Sequence, residues 1–173
     1  SRASEFPRAR LIELRSTPGR PWGWDARGFD LAREVSDAII GIRIHFEEGW
    51  QDRMIKAVES GAKVIHLLAD LHGRGSDGTF VTELFKEAHM ILLEQGRRDT
   101  VTLLGGGGIV GADHVPKAII SGLDAVALDL PVLFALQGRS NGSLRQRAKV
   151  DGTLPRELDQ EWAEQRLTNL CGS

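Results

Sequence analysis

Several residue types are scarce in this chain, and each scarcity excludes a kind of protein. Of 173 residues only one is cysteine, Cys171, so neither an internal disulfide nor a cysteine-ligated metal site is expected. Tyrosine is absent, which removes the phenol as a proton donor. No apolar run approaches the ~20 residues that a membrane span needs. We therefore expect a protein of a reducing compartment, the cytoplasm, with no metal site and no membrane partner.

The chain also lacks a large excess of charge of either sign. The formal net charge is −2, and the chain has neither a dense basic block nor aromatic residues interleaved with basic ones. These are the features by which a nucleic-acid surface is recognised, so no nucleic-acid partner is expected. Hydrophobic residues make up 41% of the chain and charged residues 27%, as in a globular protein with a core.

Strand-like and helix-like segments alternate through the centre of the chain. Runs of Val, Ile and Leu predict strands at 39–46, 63–68, 100–104 and 124–128, and apolar residues at helical spacing predict helices at 50–60, 80–94, 113–121, 131–137 and 156–170. Strands separated by helices pair in parallel. The prediction is an α/β fold of about four βα units, the parallel-sheet half of a TIM-type (β/α)8 barrel, which takes ~250 residues when complete.

Composition divides the chain into three parts. Residues 1–35 read as an N-terminal extension or loop region that contains one apolar core, Leu11 to Leu14. Residues 36–139 are the half-barrel, and residues 140–173 are a polar linker followed by a C-terminal helix.

The strongest local signal is a run of four glycines, Gly105 to Gly108, between a predicted strand and a predicted helix. Glycine lets the backbone approach a ligand closely and present its N–H groups, and a helix that starts next adds its positive end. The run predicts a phosphate held by Gly106, Gly107 and Gly108. The alternative is a tight strand-to-helix turn without a ligand.

Polar residues inside or after apolar strands are the other candidates. Arg43 lies in the middle of an apolar strand, where its charge needs a ligand or a carboxylate partner. His66, Asp70 and His72 cluster at the end of the next strand, where α/β sites form. We predict that they bind substrate, although His66 by itself also fits a hydrogen-bonded core histidine. The sequence suggests no catalytic nucleophile.

In the order and spacing of these parts, residues 36–139 resemble the FMN-binding barrel domain of glutamate synthase. The family's basic residue between apolar ones falls on Ile42-Arg43-Ile44, and its glycine-rich turn over the flavin falls on His66 to Gly75. Its double glycine around the flavin phosphate falls on Gly107-Gly108, and its "G-A/L-D" stretch falls on Gly122-Leu123-Asp124.

The resemblance implies FMN as the cofactor, held by Arg43 at the ring and by the glycines at the phosphate. His66, Asp70 and His72 would then face the ring or the substrate. The family's iron–sulfur cysteines are absent, so no iron–sulfur cluster is expected. Asp129 stands where the family has a glycine near the phosphate, and a carboxylate there repels an anion.

Three functions fit these features. The chain is a fragment of a glutamate-synthase-like FMN oxidoreductase with little activity alone, a non-catalytic half-barrel that associates with itself, or a phosphate-binding barrel without flavin. Open sheet edges predict a partner, either a second copy or a missing N-terminal half-barrel.

Overall fold

The computed structural model describes residues 10–16, 38–137, 139–140, 152–153 and 159–172. In chain order the elements are β1 Leu11–Arg15, β2 Ile39–His45, α1 Trp50–Glu59, β3 Val64–Leu68, α2 Val81–Glu94, a 3-10 turn Arg98–Thr100, β4 Thr102–Gly106, α3 His114–Ile120, β5 Ala125–Val126, α4 Leu130–Ala135, β6 Arg139–Ser140, β7 Gly152–Thr153 and α5 Gln160–Gly172.

The first five strands form one parallel sheet in the order β1-β2-β3-β4-β5. Each strand therefore pairs with its neighbour in sequence, as in a barrel that is built by successive βα units. The predicted α/β class with a parallel sheet is confirmed. The short strands β6 and β7 form a separate antiparallel pair.

One face of the sheet carries the core. Ile42, Ile65 and Leu103 are fully buried on this face, and Met54 of α1 and Phe85 of α2 are fully buried with them. Alternation along each strand sends the intervening side chains to the opposite face. We call this opposite side, which carries Glu13, Arg43 and His66, the inner face.

The structure differs from the sequence prediction at both edges of the sheet. Leu11–Arg15, expected within an N-terminal extension, is the edge strand β1 and pairs with β2 from Leu11↔Ile39 to Arg15↔Arg43. The strand predicted over 124–128 is only two residues long. Just before it, Asp124 is bonded to Leu103 of β4 twice: its amide donates to the Leu103 carbonyl at 3.0 Å, and its carboxylate accepts from the Leu103 amide at 2.7 Å.

The predicted helices are confirmed with small shifts of their ends, except that the last helix begins at Gln160 rather than near 156. Most of the predicted linker lies outside the described residues. Within the described ranges, none of the helices has the length and apolar character that crossing a membrane requires. The domain boundaries stay predictions.

Candidate functional site

The carboxyl ends of β2, β3 and β4 bring the predicted site residues to one region. Arg43 and His66 are direct neighbours in the register of β2 and β3, and His66 faces Leu104 on β4. Gly106 follows two residues later at the end of β4. In open α/β sheets and in barrels alike, ligands bind at this edge.

Glu13 connects Arg43 with His66 on the inner face. Its Oε2 accepts a hydrogen bond from the Arg43 guanidinium, and its Oε1 lies 2.5 Å from Nδ1 of His66. Burial by itself raises the pKa of the Glu13 carboxyl, but the hydrogen bond and charge of His66, joined by those of Arg43, hold that pKa below its ordinary value. Of the two alternatives for Arg43, the structure therefore provides the carboxylate partner.

Two atoms of this cluster have no hydrogen-bond partner in the described part of the chain. They are Nε of Arg43 and Nε2 of His66, and both are buried. Buried polar atoms are nearly always paired in folded proteins. The Glu13–Arg43–His66 cluster thus has a donor and a ring nitrogen left for a ligand or a water molecule.

We call the left-handed turn of Gly107 and Gly108 at the end of β4 the glycine nest. Gly107 and Gly108 both adopt left-handed conformations, with φ of 90° and 69°. Among the described residues, the backbone hydrogen bonds outside helices and strands do not use the amides of Gly107, Gly108 or Ile109. Successive unpaired amides in a turn can form an anion-binding concavity, and the phosphate prediction requires one here.

The same glycines also have a packing reason. A Cβ on Gly107 would overlap the Ala69 carbonyl and lie 2.9 Å from the backbone carbonyl oxygen of Asp70. A Cβ on Gly108 would overlap the backbone of Gly73. The run therefore allows the loop after β4 to lie directly against the loop after β3. Gly106 has less contact of this kind, since a Cβ added there would lie 2.9 Å from the Leu68 side chain.

Asp70 and His72 lie in that β3 loop, in different situations. Oδ1 of Asp70 accepts hydrogen bonds from the amides of His72 and Arg74, each 2.8 Å long. This carboxylate shapes the loop, as Asp commonly does in turns. The His72 side chain is exposed. Both residues stay predicted substrate contacts, and Asp70 has one oxygen committed to the backbone.

A cavity of about 160 Å³ opens between the ends of β2 and β3, with His45 in its wall. Glu47, Asp70 and Arg74 also line it. Nδ1 of His45 has no partner among the described residues. Burial lowers the pKa of His45 below its ordinary value. Glu47 opposes this effect, and the charges of Arg15, Arg43 and His66 reinforce it.

Asp129 lies at the N-terminus of α4 and caps it. Its carboxylate accepts a hydrogen bond of 2.7 Å from the amide of Leu130. Ala127, two residues earlier, packs beside Gly106, so this acidic residue lies at the same edge as the glycine nest. Its charge would oppose an anion bound at this edge, as the sequence indicates, and the structure gives the residue a capping role in the fold.

Glu13 and His45 are the site residues that sequence reasoning missed. Glu13 is a single carboxylate within the run Leu11 to Leu14, and its signal was the same as that of Arg43, a charge inside an apolar strand. His45 ends its strand as an isolated histidine, which carries little signal in a sequence. No group of three or more possible metal ligands occurs in the described ranges.

No family model matches the chain, and no curated protein is similar to it in sequence. Solved structures share its fold. A mandelate oxidase variant with a monooxide FMN adduct is 19% identical, with a TM-score of 0.61 over 99% of this chain and 50% of that chain. The flavin-binding domain of baker's yeast flavocytochrome b2 is 24% identical, with a TM-score of 0.54 over 68% of this chain and 28% of that chain.

A flavocytochrome b2 variant with benzoylformate is 25% identical, with a TM-score of 0.53 over 68% of this chain and 28% of that chain. The chain thus spans half the length of these proteins or less. Together with the parallel βα sheet, the likeness shows that the fold is part of a (β/α)8 barrel.

Proposed function

We propose that this chain is the flavin-binding part of an FMN-dependent oxidoreductase barrel, with the flavin phosphate on the glycine nest. The observation that carries the proposal is the pair of left-handed glycines at the carboxyl end of β4, Gly107 and Gly108, whose amides lack a partner among the described residues. Barrel enzymes commonly bind phosphate at the loops after their late strands. The similar solved structures include an FMN adduct and a flavin-binding domain.

The residues present fit FMN at two points and oppose it at one. The amides of Gly107 and Gly108 suit the phosphate, and Arg43 offers its Nε on the inner face for the ring. The Asp129 carboxylate opposes the phosphate, and its Oδ1 accepts a hydrogen bond from the Leu130 amide at the α4 N-terminus. When bound, FMN supplies the two-electron redox chemistry, and the protein supplies position and electrostatics.

The substrate class in this proposal is a small organic acid. Glu13 balances the charge of Arg43, but the unpaired Nε–H of the guanidinium on the inner face suits a carboxylate. The similar structures include a mandelate oxidase and a flavocytochrome b2 variant that holds benzoylformate, whereas the sequence resembles glutamate synthase. Mandelate is a 2-hydroxy acid and benzoylformate is a 2-oxo acid. We favour the 2-hydroxy acid class, and the glutamate-synthase assignment stays a prediction.

The test compares FMN with riboflavin, which has the same ring but no phosphate. The purified chain is titrated with each, and flavin fluorescence quenching is followed. We expect FMN to bind and riboflavin to bind about tenfold or more weakly, a difference of roughly 1.4 kcal/mol or more. Equal affinities would show that the nest holds no phosphate.

Failure of both flavins to bind would overturn the flavin proposal. Inorganic phosphate is then the next probe, because phosphate binding without flavin binding is the outcome that a phosphate-binding barrel without flavin requires. A thermal shift on phosphate addition, compared with chloride at equal ionic strength, measures it.

A second candidate function is self-association through the open sheet. Leu11 and Ile39 pair directly at the amino ends of β1 and β2, and they are 47% and 51% exposed. Exposed apolar side chains beside an unpaired strand edge invite a partner. Sedimentation velocity at micromolar concentration tests this: a dimer that dissociates in the Ile39→Thr variant supports it, and a stable monomer overturns it.

A further inference from the structure

Glu13 reaches across a whole strand to meet His66. Glu13 pairs with Gly41 on β2, and Arg43, two residues further along β2, pairs with His66 on β3. Glu13, Gly41, Arg43 and His66 all lie on the inner face, because residues two apart on a strand and direct partners across a parallel pair share one face. Both carboxylate oxygens are used, Oε2 by Arg43 and Oε1 by His66.

This contact decides which nitrogen of His66 carries the proton. A neutral imidazole has one N–H donor and one acceptor nitrogen, whereas an ionised carboxylate only accepts. Since Nδ1 lies 2.5 Å from Oε1 of Glu13, the ionised carboxylate requires a proton on Nδ1, and in the neutral ring the lone pair is then on Nε2. The carboxylate is ionised because His66 and Arg43 lower its pKa, against the effect of burial.

The other nitrogen, Nε2, is a buried acceptor that lacks a partner in the described part of the chain. The His66 side chain is only 10% exposed, so bulk water does not satisfy this nitrogen. Within the same described residues, Arg43 provides an unpaired Nε–H in this cluster. A bound molecule that carries a hydroxyl or amino group next to a negatively charged group would match both atoms: it would donate to Nε2 of His66 and accept from Nε of Arg43.

We propose that Glu13 is a positioning residue, which holds His66 with its proton on Nδ1 and so presents the Nε2 lone pair as the acceptor for a hydroxyl or amino group of a bound molecule. An orienting carboxylate on the far nitrogen is how proteins commonly fix the tautomer and ring orientation of a working histidine. The proposal rests on the proposed function only for the identity of that molecule.

The tautomer is read directly from the free protein. Histidine-labelled 15N protein is measured by long-range 1H–15N correlation at a pH about two units above the ordinary imidazole pKa of ~6.5. The five histidines are assigned by single substitutions. For His66 we expect a protonated Nδ1 and an unprotonated Nε2, whereas the exposed His72 should show a mixture of both tautomers.

Two variants separate positioning from packing. Glu13→Leu keeps a side chain of similar size but removes the acceptor, so His66 should lose its tautomer preference and come to resemble His72. Glu13→Gln keeps an oxygen that accepts from Nδ1, so the preference should be retained. The His72 signals should be the same in all three proteins.

A proton on Nε2 in the wild-type protein would overturn the proposal, as would an unchanged tautomer in folded Glu13→Leu. If Glu13→Leu does not fold, the wild-type and Glu13→Gln spectra still decide, because both must show the Nδ1 tautomer. None of these spectra needs flavin, so failure of FMN binding leaves this measurement unaffected.

The acceptor role is tested with a matched pair of probes. Glycolate carries a hydroxyl beside its carboxylate, and acetate carries the carboxylate alone. We expect glycolate to shift the Nε2 resonance of His66 at concentrations where acetate does not. An equal response to both probes, or no response to either, would overturn the acceptor role while leaving the tautomer result in place.

Discussion

Gly108 lies against Gly73, backbone to backbone. A Cβ at Gly108 would overlap the Cα and the amide nitrogen of Gly73. Gly73 itself adopts a φ of 71°, and its carbonyl accepts a hydrogen bond of 2.8 Å from Val81, at the start of α2. The glycine nest is therefore fixed by the neighbouring loop.

The first prediction concerns this contact. Gly108→Ala should reduce the free energy of unfolding by about 3 kcal/mol, because it adds a backbone clash to the cost of a left-handed alanine. Gly96→Ala is the matched control: Gly96 has a φ of 61° but open space around it. Its cost should be about 1 kcal/mol. Urea denaturation measures both, and equal costs would show that the close approach of the two loops is absent.

The contact between the two loops also affects the choice of variant for ligand binding. A bulky residue at Gly107 would overlap the Ala69 carbonyl, so lost FMN binding in such a variant could come from the displaced loop alone. Substitution of Asp129 avoids that ambiguity because its side chain contacts its own helix.

The second prediction is that Asp129→Asn increases the affinity for FMN by about tenfold at low salt, which is roughly 1.4 kcal/mol. The amide removes the negative charge near the nest and still caps α4 through its oxygen. Asp99→Asn is the control, since Asp99 is exposed in the turn before β4, at the opposite end of that strand. Fluorescence titration measures both, and unchanged affinity in Asp129→Asn would place the phosphate away from α4.

The third prediction concerns Arg98, which joins α2 to the start of β5. Its guanidinium donates to Nδ1 of His89 at 3.0 Å, to the Gly122 carbonyl at 2.9 Å and to Oδ1 of Asp124 at 2.8 Å. Arg98→Ala should lower the free energy of unfolding by about 2–3 kcal/mol, because these partners lose their donor. The neighbouring exposed Arg97→Ala should cost less than about 0.5 kcal/mol. Similar costs in chemical denaturation would mean that the Arg98 network contributes nothing.

The fourth prediction is a pH dependence caused by His45. Burial holds the pKa of this ring below its ordinary 6.5 in the folded protein, so the unfolded chain binds a proton that the folded chain does not. Stability should therefore be fully present above pH 6.5 and fall as the pH drops from 6.5 toward the folded-state pKa. Thermal denaturation across this window measures it, and His45→Gln should flatten the curve whereas His72→Gln should not.

The carboxylates act in a separate window. Burial raises the pKa of both Glu13 and Asp124, but in each case hydrogen bonds and charges lower it further than burial raises it. These come from His66 and Arg43 for Glu13, and from Arg98 for Asp124. Their folded-state pKa values lie below 4.5 and 3.8, so their contribution is present above those values and is lost as the pH falls below them. If the wild-type protein and His45→Gln lose the same stability between pH 6.5 and 4.5, the pH dependence in that window does not come from His45.

Local pattern predicts much of the fold. Apolar runs such as 39–46 and helical spacing such as 80–94 survive in the structure because parallel strands covered by helices must be apolar. The glycine run predicted a phosphate site or a tight turn after the strand, and the structure has a turn there in which Gly107 adopts a φ of 90°, a conformation that few other residues tolerate.

The edge strand β1 was harder to predict, because it has only five residues and its partner strand β2 begins at Ile39, far along the chain. Its pairing with β2 is a long-range contact, and such contacts leave no periodic signal.

The α/β class, the parallel order of βα units and the glycine run at the end of β4 follow from the amino-acid sequence without any knowledge of the folded chain. The meeting of Glu13 with His66 and Arg43, the packing of the glycines on the loop after β3 and the capping of α4 by Asp129 emerge only when the chain is folded. The physical reason is that backbone pattern is set by neighbours in the chain, whereas the partner of a charge is set by which strands the sheet places side by side.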